Sequence, residues 1–274
     1  MPGIRLHAEE WPGRGRPLLC LPGQIGSAHT YAGLAARLAP EHRVIALDPR
    51  GRGKSAAPAA GYGYQVHVAD TLLAIEHLGL RRPVLVGHSF GGIVALCLAA
   101  WAPEPPGALV LIDGGAPIPH DVTAAVDAVA TLLDTVYPDV NDYLAQLAAV
   151  PWFQPWTSML AEQLLSLVEP VPGGVRARAR AATIQQELQI YADGPPVYPS
   201  LWRKVRCPTL VVRARLGMFG LNAAHALPGP DYRRMLAEIP RARGVEVLAN
   251  HYTVLLGDPA ATADAVRAFL TGLD

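Results

Sequence analysis

The residues with the plainest chemical potential lie in one run, Val84-Leu85-Val86-Gly87-His88-Ser89-Phe90-Gly91-Gly92. Strand-forming residues lead into Gly-x-Ser-x-Gly, and a helical pattern follows from Gly91 to Trp101. A turn that tight leaves no room for a side chain at position 87 or 91. It holds the serine in a strained backbone conformation, with its hydroxyl raised over the strand end. The following helix aims its positive N-terminal end at the same place, where an oxyanion would develop. The chemistry implied is attack by Ser89 on a carbonyl. A serine needs a base to take its proton, and the base needs a group to orient it. Nine histidines and 23 acidic residues are available for those duties.

The elements that must position Ser89 are legible as alternating apolar runs. Strands are expected at Ile4–Ala8, Leu18–Leu21, Val44–Leu47, Val84–Val86 and Leu109–Ile112. Helices are expected at Tyr31–Leu38, Gln65–Leu78 and Gly91–Trp101. Fully apolar strands alternating with helices imply an α/β fold, a mostly parallel sheet covered on both faces. From Ala116 to about Ser200 the alternation stops. Helical spacing there covers Val122 to Val136, Tyr143–Val150, Ser158–Val168 and Val175–Tyr191, broken by prolines. The expectation is a core of residues 1–115 and 201–274 carrying a helical lid over 116–200. In that lid Arg176, Arg178 and Arg180 read as a solvated helix face. The sheet resumes at Thr209–Val212 and Val245–Leu248, and a last helix runs from about Ala260 to Leu270.

Composition narrows the classes. Hydrophobic residues make up 51% of the 274 and charged residues 17%, enough for a large buried core. The 23 basic residues balance the 23 acidic ones, and no basic stripe stands out, so neither nucleic acid nor an anionic membrane is an expected partner. No apolar run reaches 18 residues, which argues against membrane insertion. Met1 to Trp11 lacks the pattern of a secretory signal, and Cys20, Cys97 and Cys207 read as buried small hydrophobes. The expected setting is cytoplasmic.

With the serine turn and its flanking elements in view, the sequence resembles the α/β-hydrolase family over nearly the whole chain outside the lid. The resemblance implies a second oxyanion amide after an early strand. Here Leu21-Pro22-Gly23-Gln24 keeps the glycine but has proline where the family has histidine. The implied donors are the backbone N–H groups of Gln24 and Phe90, and the Gln24 side chain either faces substrate or is a solvated loop residue. Asp48-Pro49-Arg50-Gly51-Arg52-Gly53-Lys54-Ser55 matches a structural turn of the family. The implied base is His251, which follows the last strand and precedes the last helix. His225 and His120 compete with it less well from Pro/Gly-rich loops, and His88 reads as packing. The acid departs from the usual pattern, because the strand Thr209–Ala214 leads into Arg215-Leu216-Gly217-Met218. No Asp or Glu occurs between Asp193 and Asp231. A minority of the family takes the acid from the end of the strand after the nucleophile helix. Asp113 stands there, 24 residues past Ser89, with Asp231 as the rival.

The lid supplies Trp152, Phe153, Trp156, Met159, Tyr191 and Tyr198, with Trp202 just beyond. Trp152-Phe153-x-x-Trp156 between prolines does not follow a regular helix pattern. Trp152, Phe153 and Trp156 are therefore candidates for an apolar substrate pocket, and His225 for its mouth. The resulting expectation is a cofactor-free, metal-free serine hydrolase that cleaves a small hydrophobic ester or lactone through a Ser89–His251–Asp113 triad. Two other readings remain open on the same residues. One is a C–C bond hydrolase or cofactor-free lyase, and the other a receptor-like member that binds ligand with little turnover. Neither the natural substrate nor the oligomeric state is readable.

Overall fold

The computed structural model describes residues 4–193, 198–218 and 223–273. The first half of the chain runs through β1 (Ala8–Trp11), β2 (Leu18–Leu21), α1 (Ala32–Leu38), β3 (Val44–Leu47), α2 (Tyr64–His77), β4 (Val84–His88), α3 (Phe90–Trp101) and β5 (Ala108–Ile112). The segment after β5 carries α4 (His120–Ala130), α5 (Val140–Ala148), α6 (Ser158–Leu165), β6 (Val168–Val171), β7 (Gly174–Ala177), α7 (Ala181–Asp193) and α8 (Tyr198–Trp202). The chain closes with β8 (Thr209–Ala214), α9 (Gly229–Glu238), β9 (Ala242–Val247) and α10 (Ala260–Thr271).

Seven strands form one sheet in the order β1-β3-β2-β4-β5-β8-β9, and only β1 is antiparallel to its neighbour. Alternate residues of each strand feed two cores. Leu19, Leu21, Leu85, Leu109, Leu111 and Val211 pack under α3 and Trp202. Leu18, Cys20, Val84, Val86, Val110 and Val212 pack on the other face against Leu34 and Leu38 of α1 and Val266 and Phe269 of α10. Each fully buried Leu or Val stabilises by about 1.5–3 kcal/mol, so the register that keeps both faces apolar is strongly favoured. The strand order reverses between β2 and β4. Ligands of open α/β sheets bind at that crevice, outside the strand C-terminal ends. Leu21 at the end of β2 pairs with Gly87 near the end of β4, so Gln24 and Ser89 flank the crevice.

Three expectations need correction. The strand expected at Val245–Leu248 is Ala242–Val247, in register with Thr209–Ala214, and Leu248 lies beyond it, exposed. The first strand is Ala8–Trp11 rather than Ile4–Ala8, because its partner β3 ends at Leu47 and Ala8 pairs there. Residues before it run on beside the Asp48 turn, with Asp48 N–H donating to His7 O. The segment 116–200 is not all helix. Val168–Val171 and Gly174–Ala177 form an antiparallel hairpin turned through Gly173 (φ 89°) and Gly174 (φ 146°), conformations that suit glycine. Val175, Ala177 and Ala179 alternate with Arg176, Arg178 and Arg180, which is a strand period. The three arginines therefore do not make a solvated helix face. They converge on Glu169 instead, Arg176 at 3.8 Å, Arg178 at 3.7 Å and Arg180 in closer contact.

Candidate active site

Ser89 has φ 53° and ψ −120°, a region that costs a non-glycine residue about 1–3 kcal/mol. The neighbouring glycines make this turn possible. A Cβ on Gly87 would lie 2.3 Å from Gly91 O, and one on Gly91 would lie 2.0 Å from Leu21 O. Ser89 is half-buried, whereas His251 and Asp113 are buried. The Ser89 hydroxyl lies 3.0 Å from His251 Nε2.

Asp113 follows the last residue of β5, the strand beside β4, and also has positive φ, 44°. Its position is fixed by the ladder. Ser89 N–H donates to Ile112 O at 3.0 Å, and Asp113 N–H donates to Val212 O at 2.8 Å. The next residue must be glycine, because a Cβ on Gly114 would meet Ser89 O at 2.4 Å. Asp113 Oδ1 accepts from the Ala214 N–H at 3.1 Å, and Oδ2 lies 2.7 Å from His251 Nδ1. A carboxylate in that position holds the Nδ1–H tautomer, so the Nε2 lone pair faces the Ser89 hydroxyl. Asp231 sits in the first turn of α9, and no hydrogen bond among the described residues joins it to His251.

The loop carrying His251 is shaped by Asn250, whose Oδ1 accepts from Tyr252 N–H at 2.9 Å and Thr253 N–H at 2.8 Å. Asn250 Nδ2 donates to Trp152 O at 2.9 Å, tying this loop to the segment after β5. His88 does more than pack. Burial and the neighbouring His251 push its pKa down to about 3, so it is neutral, and its Nε2–H donates to the His251 carbonyl at 2.9 Å. Sequence reasoning missed this role, although a histidine beside the nucleophile was the available signal. His225 lies with its Nδ1 3.4 Å from Arg213 Nη2, and among the described residues no hydrogen bond joins it to Ser89, His251 or Asp113. His120 begins α4.

On the other side of Ser89, a Cβ on Gly23 would lie 3.4 Å from Ser89 Cβ, so the β2 loop passes directly beside the serine. Among the described residues the Gln24 N–H donates to no backbone carbonyl. The Gln24 side chain takes neither expected course. It is buried and donates to Glu187 Oε2 at 3.3 Å. Glu187, on α7, also receives both terminal nitrogens of Arg52 and lies 2.7 Å from His67 Nε2. Burial pushes the Glu187 carboxyl up, but the Arg52 charge and His67 together hold it below the ordinary value. Sequence reasoning did not find Glu187, since a glutamate on an amphipathic helix carries no sign of burial. The Asp48 turn is structural, as expected. Asp48 accepts from Ala28 N–H at 2.6 Å and Lys54 N–H at 2.8 Å, and a Cβ on Gly53 would strike its carboxylate at 2.1 Å.

Phe153 is buried with Tyr143, Leu160, Leu164 and Val168, and its ring meets Tyr252 edge-on at 5.3 Å. Trp152 and Trp156 are half-buried against the same cluster. Trp202 is fully buried, with its indole N–H on Gly115 O at 2.9 Å. The side chains of Tyr191 and Tyr198 lie outside the described ones. Among the described residues no His/Cys/Asp/Glu group could hold a metal ion. No described helix is long and apolar enough to cross a membrane. All three cysteines are buried free thiols, with burial raising Cys97 to about 12 and Cys207 to about 11.

Comparison with known proteins agrees with this architecture. The chain is 29% identical to the 2-(acetamidomethylene)succinate hydrolase of Mesorhizobium japonicum, over 97% of this chain and 92% of that one. It is 35% identical to a serine hydrolase-like protein of Danio rerio, but spans only 39% of that protein's length. A crystal structure of an E-2-(acetamidomethylene)succinate hydrolase superposes over 98% of this chain and 96% of that one, with a TM-score of 0.83 at 24% identity. The enol-lactonase from Burkholderia xenovorans LB400 superposes over 98% of both chains, with a TM-score of 0.74 at 20% identity. The alpha/beta hydrolase fold family matches residues 16–214, which run from just before β2 to the end of β8 and include both the serine turn and the strand-end aspartate. By its sequence and its sheet, the chain belongs to the alpha/beta hydrolase fold family.

Proposed function

We propose that this protein hydrolyses a neutral, hydrophobic carboxylic ester or lactone through an acyl-enzyme on Ser89. The observation that carries the reading is the unbroken chain Ser89 Oγ to His251 Nε2 at 3.0 Å and His251 Nδ1 to Asp113 Oδ2 at 2.7 Å. Ser89 Oγ attacks the carbonyl as its proton passes to Nε2, and Asp113 supports the imidazolium that forms. The Gln24 and Phe90 amides hold the oxyanion. The tetrahedral intermediate collapses, and the leaving alkoxide takes the proton from Nε2. Water then attacks the acyl group with His251 again as base, releasing the acid and restoring Ser89. No cofactor or metal takes part.

Residues 116–200 serve as a lid, held to the core by Asn250–Trp152 on the histidine side and Glu187–Arg52 on the oxyanion side. Two features support a neutral substrate. Arg52, the buried cation beside the Gln24 loop, is already committed to Glu187, and the half-buried Trp152 and Trp156 offer apolar surface beside Tyr252. The whole-length relative favours a second reading, in which the substrate carries an acetamido group. The buried thiols fit a reducing, cytoplasmic setting.

The test is a fluorophosphonate adduct mapped to Ser89, together with Ser89→Ala on p-nitrophenyl esters. A panel of esters, lactones and acetamido compounds separates the two readings. Loss of a triad nucleophile costs on the order of 10⁶ in kcat, so the variant should be inert with an unchanged fold. Retention of more than about 1% of wild-type turnover, far above that residue, overturns the assignment.

A further inference from the structure

We propose that Glu187 is a positioning residue for the oxyanion hole, so that full transition-state stabilisation requires the 116–200 segment to be docked on the core. The proposal rests on the reading of Gln24 as an oxyanion donor. Glu187 is completely buried, and it is the point where three separate stretches of the core meet α7. They contribute Arg52 from the turn after β3, His67 from α2 and Gln24 from the loop after β2.

What Glu187 holds is the conformation of residue 24 itself. Arg52 Nε donates to the Gln24 carbonyl at 2.8 Å, and its Nη1 donates to Arg50 O at 3.1 Å and Glu187 Oε1 at 3.0 Å. The guanidinium is thus a planar clamp with one edge on the Gln24 backbone and the other on Glu187. The Gln24 side-chain amide reaches the same carboxylate at 3.3 Å. With its carbonyl held by Arg52 and its side-chain nitrogen held by Glu187, residue 24 keeps a backbone N–H that donates to no backbone carbonyl among the described residues, in a loop that passes beside Ser89 at Gly23. Removing Glu187 frees the clamp and lets that amide drift. An oxyanion donor works only if it is fixed in place before charge develops. Ground-state binding makes little use of it, so the defect belongs in kcat rather than KM.

A purely structural ion pair would look different. Its loss would lower the melting temperature and the fraction of active molecules, while each surviving active site turned over normally. The experiment therefore counts active sites with a fluorophosphonate in wild type, Glu187→Gln and the double variant Arg52→Met/Glu187→Met. The double variant avoids leaving the Arg52 charge buried alone. For each, kcat per titrated site, KM and the affinity for an alkylboronic acid, which forms a tetrahedral adduct on the serine, are measured. Removing one oxyanion donor outright costs about 10²–10³ in kcat, so a displaced donor should cost about 10- to 100-fold, with KM within about twofold. Boronic acid affinity should fall by a similar factor. A per-site loss below about fivefold, a loss confined to KM, unchanged boronic acid affinity, or failure of both variants to fold overturns the proposal. Wild type that neither labels nor hydrolyses any ester would instead refute the hydrolase reading, an outcome separate from these.

Discussion

Replacing Asp113 by asparagine tests the most unusual part of the site with a change of one atom type. Asp113 uses both oxygens, Oδ1 for the Ala214 N–H at 3.1 Å and Oδ2 toward His251 Nδ1 at 2.7 Å. Asparagine has one acceptor. The Ala214 N–H is a fixed donor in the sheet, so the carboxamide oxygen stays there and the NH₂ turns toward Nδ1. Nδ1 must then accept, which moves the ring proton to Nε2, where it faces the Ser89 hydroxyl and cannot take its proton. The imidazolium also loses its counter-charge. With charge centres about 4 Å apart and an effective dielectric of about 20, that interaction is about 4 kcal/mol, or about three powers of ten in rate. Tautomer and charge together predict a fall in kcat of about 10³–10⁴, in line with the loss seen when a serine protease triad receives the same change. The assay is p-nitrophenyl ester turnover alongside a thermal melt, with Asp231→Asn as control. An Asp113→Asn protein that keeps more than about a tenth of wild-type kcat, two or more powers of ten above expectation, refutes the reasoning. So does an Asp231→Asn variant that loses activity while Asp113→Asn retains it.

His88 should impose a pH dependence on stability. Its folded pKa is pushed down to about 3, below its unfolded value, so the unfolded chain binds a proton that the folded one refuses and stability falls as pH drops below about 6.5. Between pH 7 and 5 this group alone should cost about 2 kcal/mol. Urea melts at both pH values should show wild type losing about 2 kcal/mol more stability than His88→Gln on going from pH 7 to 5, and equal losses would contradict it. Truncating Trp152 and Trp156 together to alanine should lower kcat/KM more for octanoate than for acetate esters, by up to about fourfold per methylene that the pocket buries. Equal losses at every chain length, with a lower melting temperature, would make both residues lid core.

Much of the fold is legible because the central strands are buried on both faces. Leu18–Leu21 and Val44–Leu47 are continuous apolar runs, and the sheet uses them residue for residue. The edge strand β1 was harder to place. Glu9 and Glu10 interrupt any apolar run there, Glu9 half-buried against His29 and Glu10 exposed beside Arg43, so only pairing with β3 selects its ends. The β6–β7 hairpin was obscured because Val175–Tyr191 contains enough apolar residues to satisfy a helical period after Ala181. Proximity of Ser89, His251 and Asp113 followed from strand ends converging on one edge. The partners of buried charges did not. Glu187 lies 135 residues from Arg52 in sequence, and no local pattern announces that one carboxylate will gather Arg52, His67 and Gln24.

In the proposed triad, an acid placed on β5 also changes how the site tolerates motion. His88 and Ile112 are opposed rungs of one ladder, so Ser89 and Asp113 are separated by a single strand spacing of about 5 Å. An acid carried on the connection after β8 would stand two spacings from the serine, about 10 Å, with its own loop adding slack. Here nucleophile and acid are machined into the same frame. All the play in the relay resides in the short loop that Asn250 braces, and the connection after β8 can vary in length without disturbing the alignment.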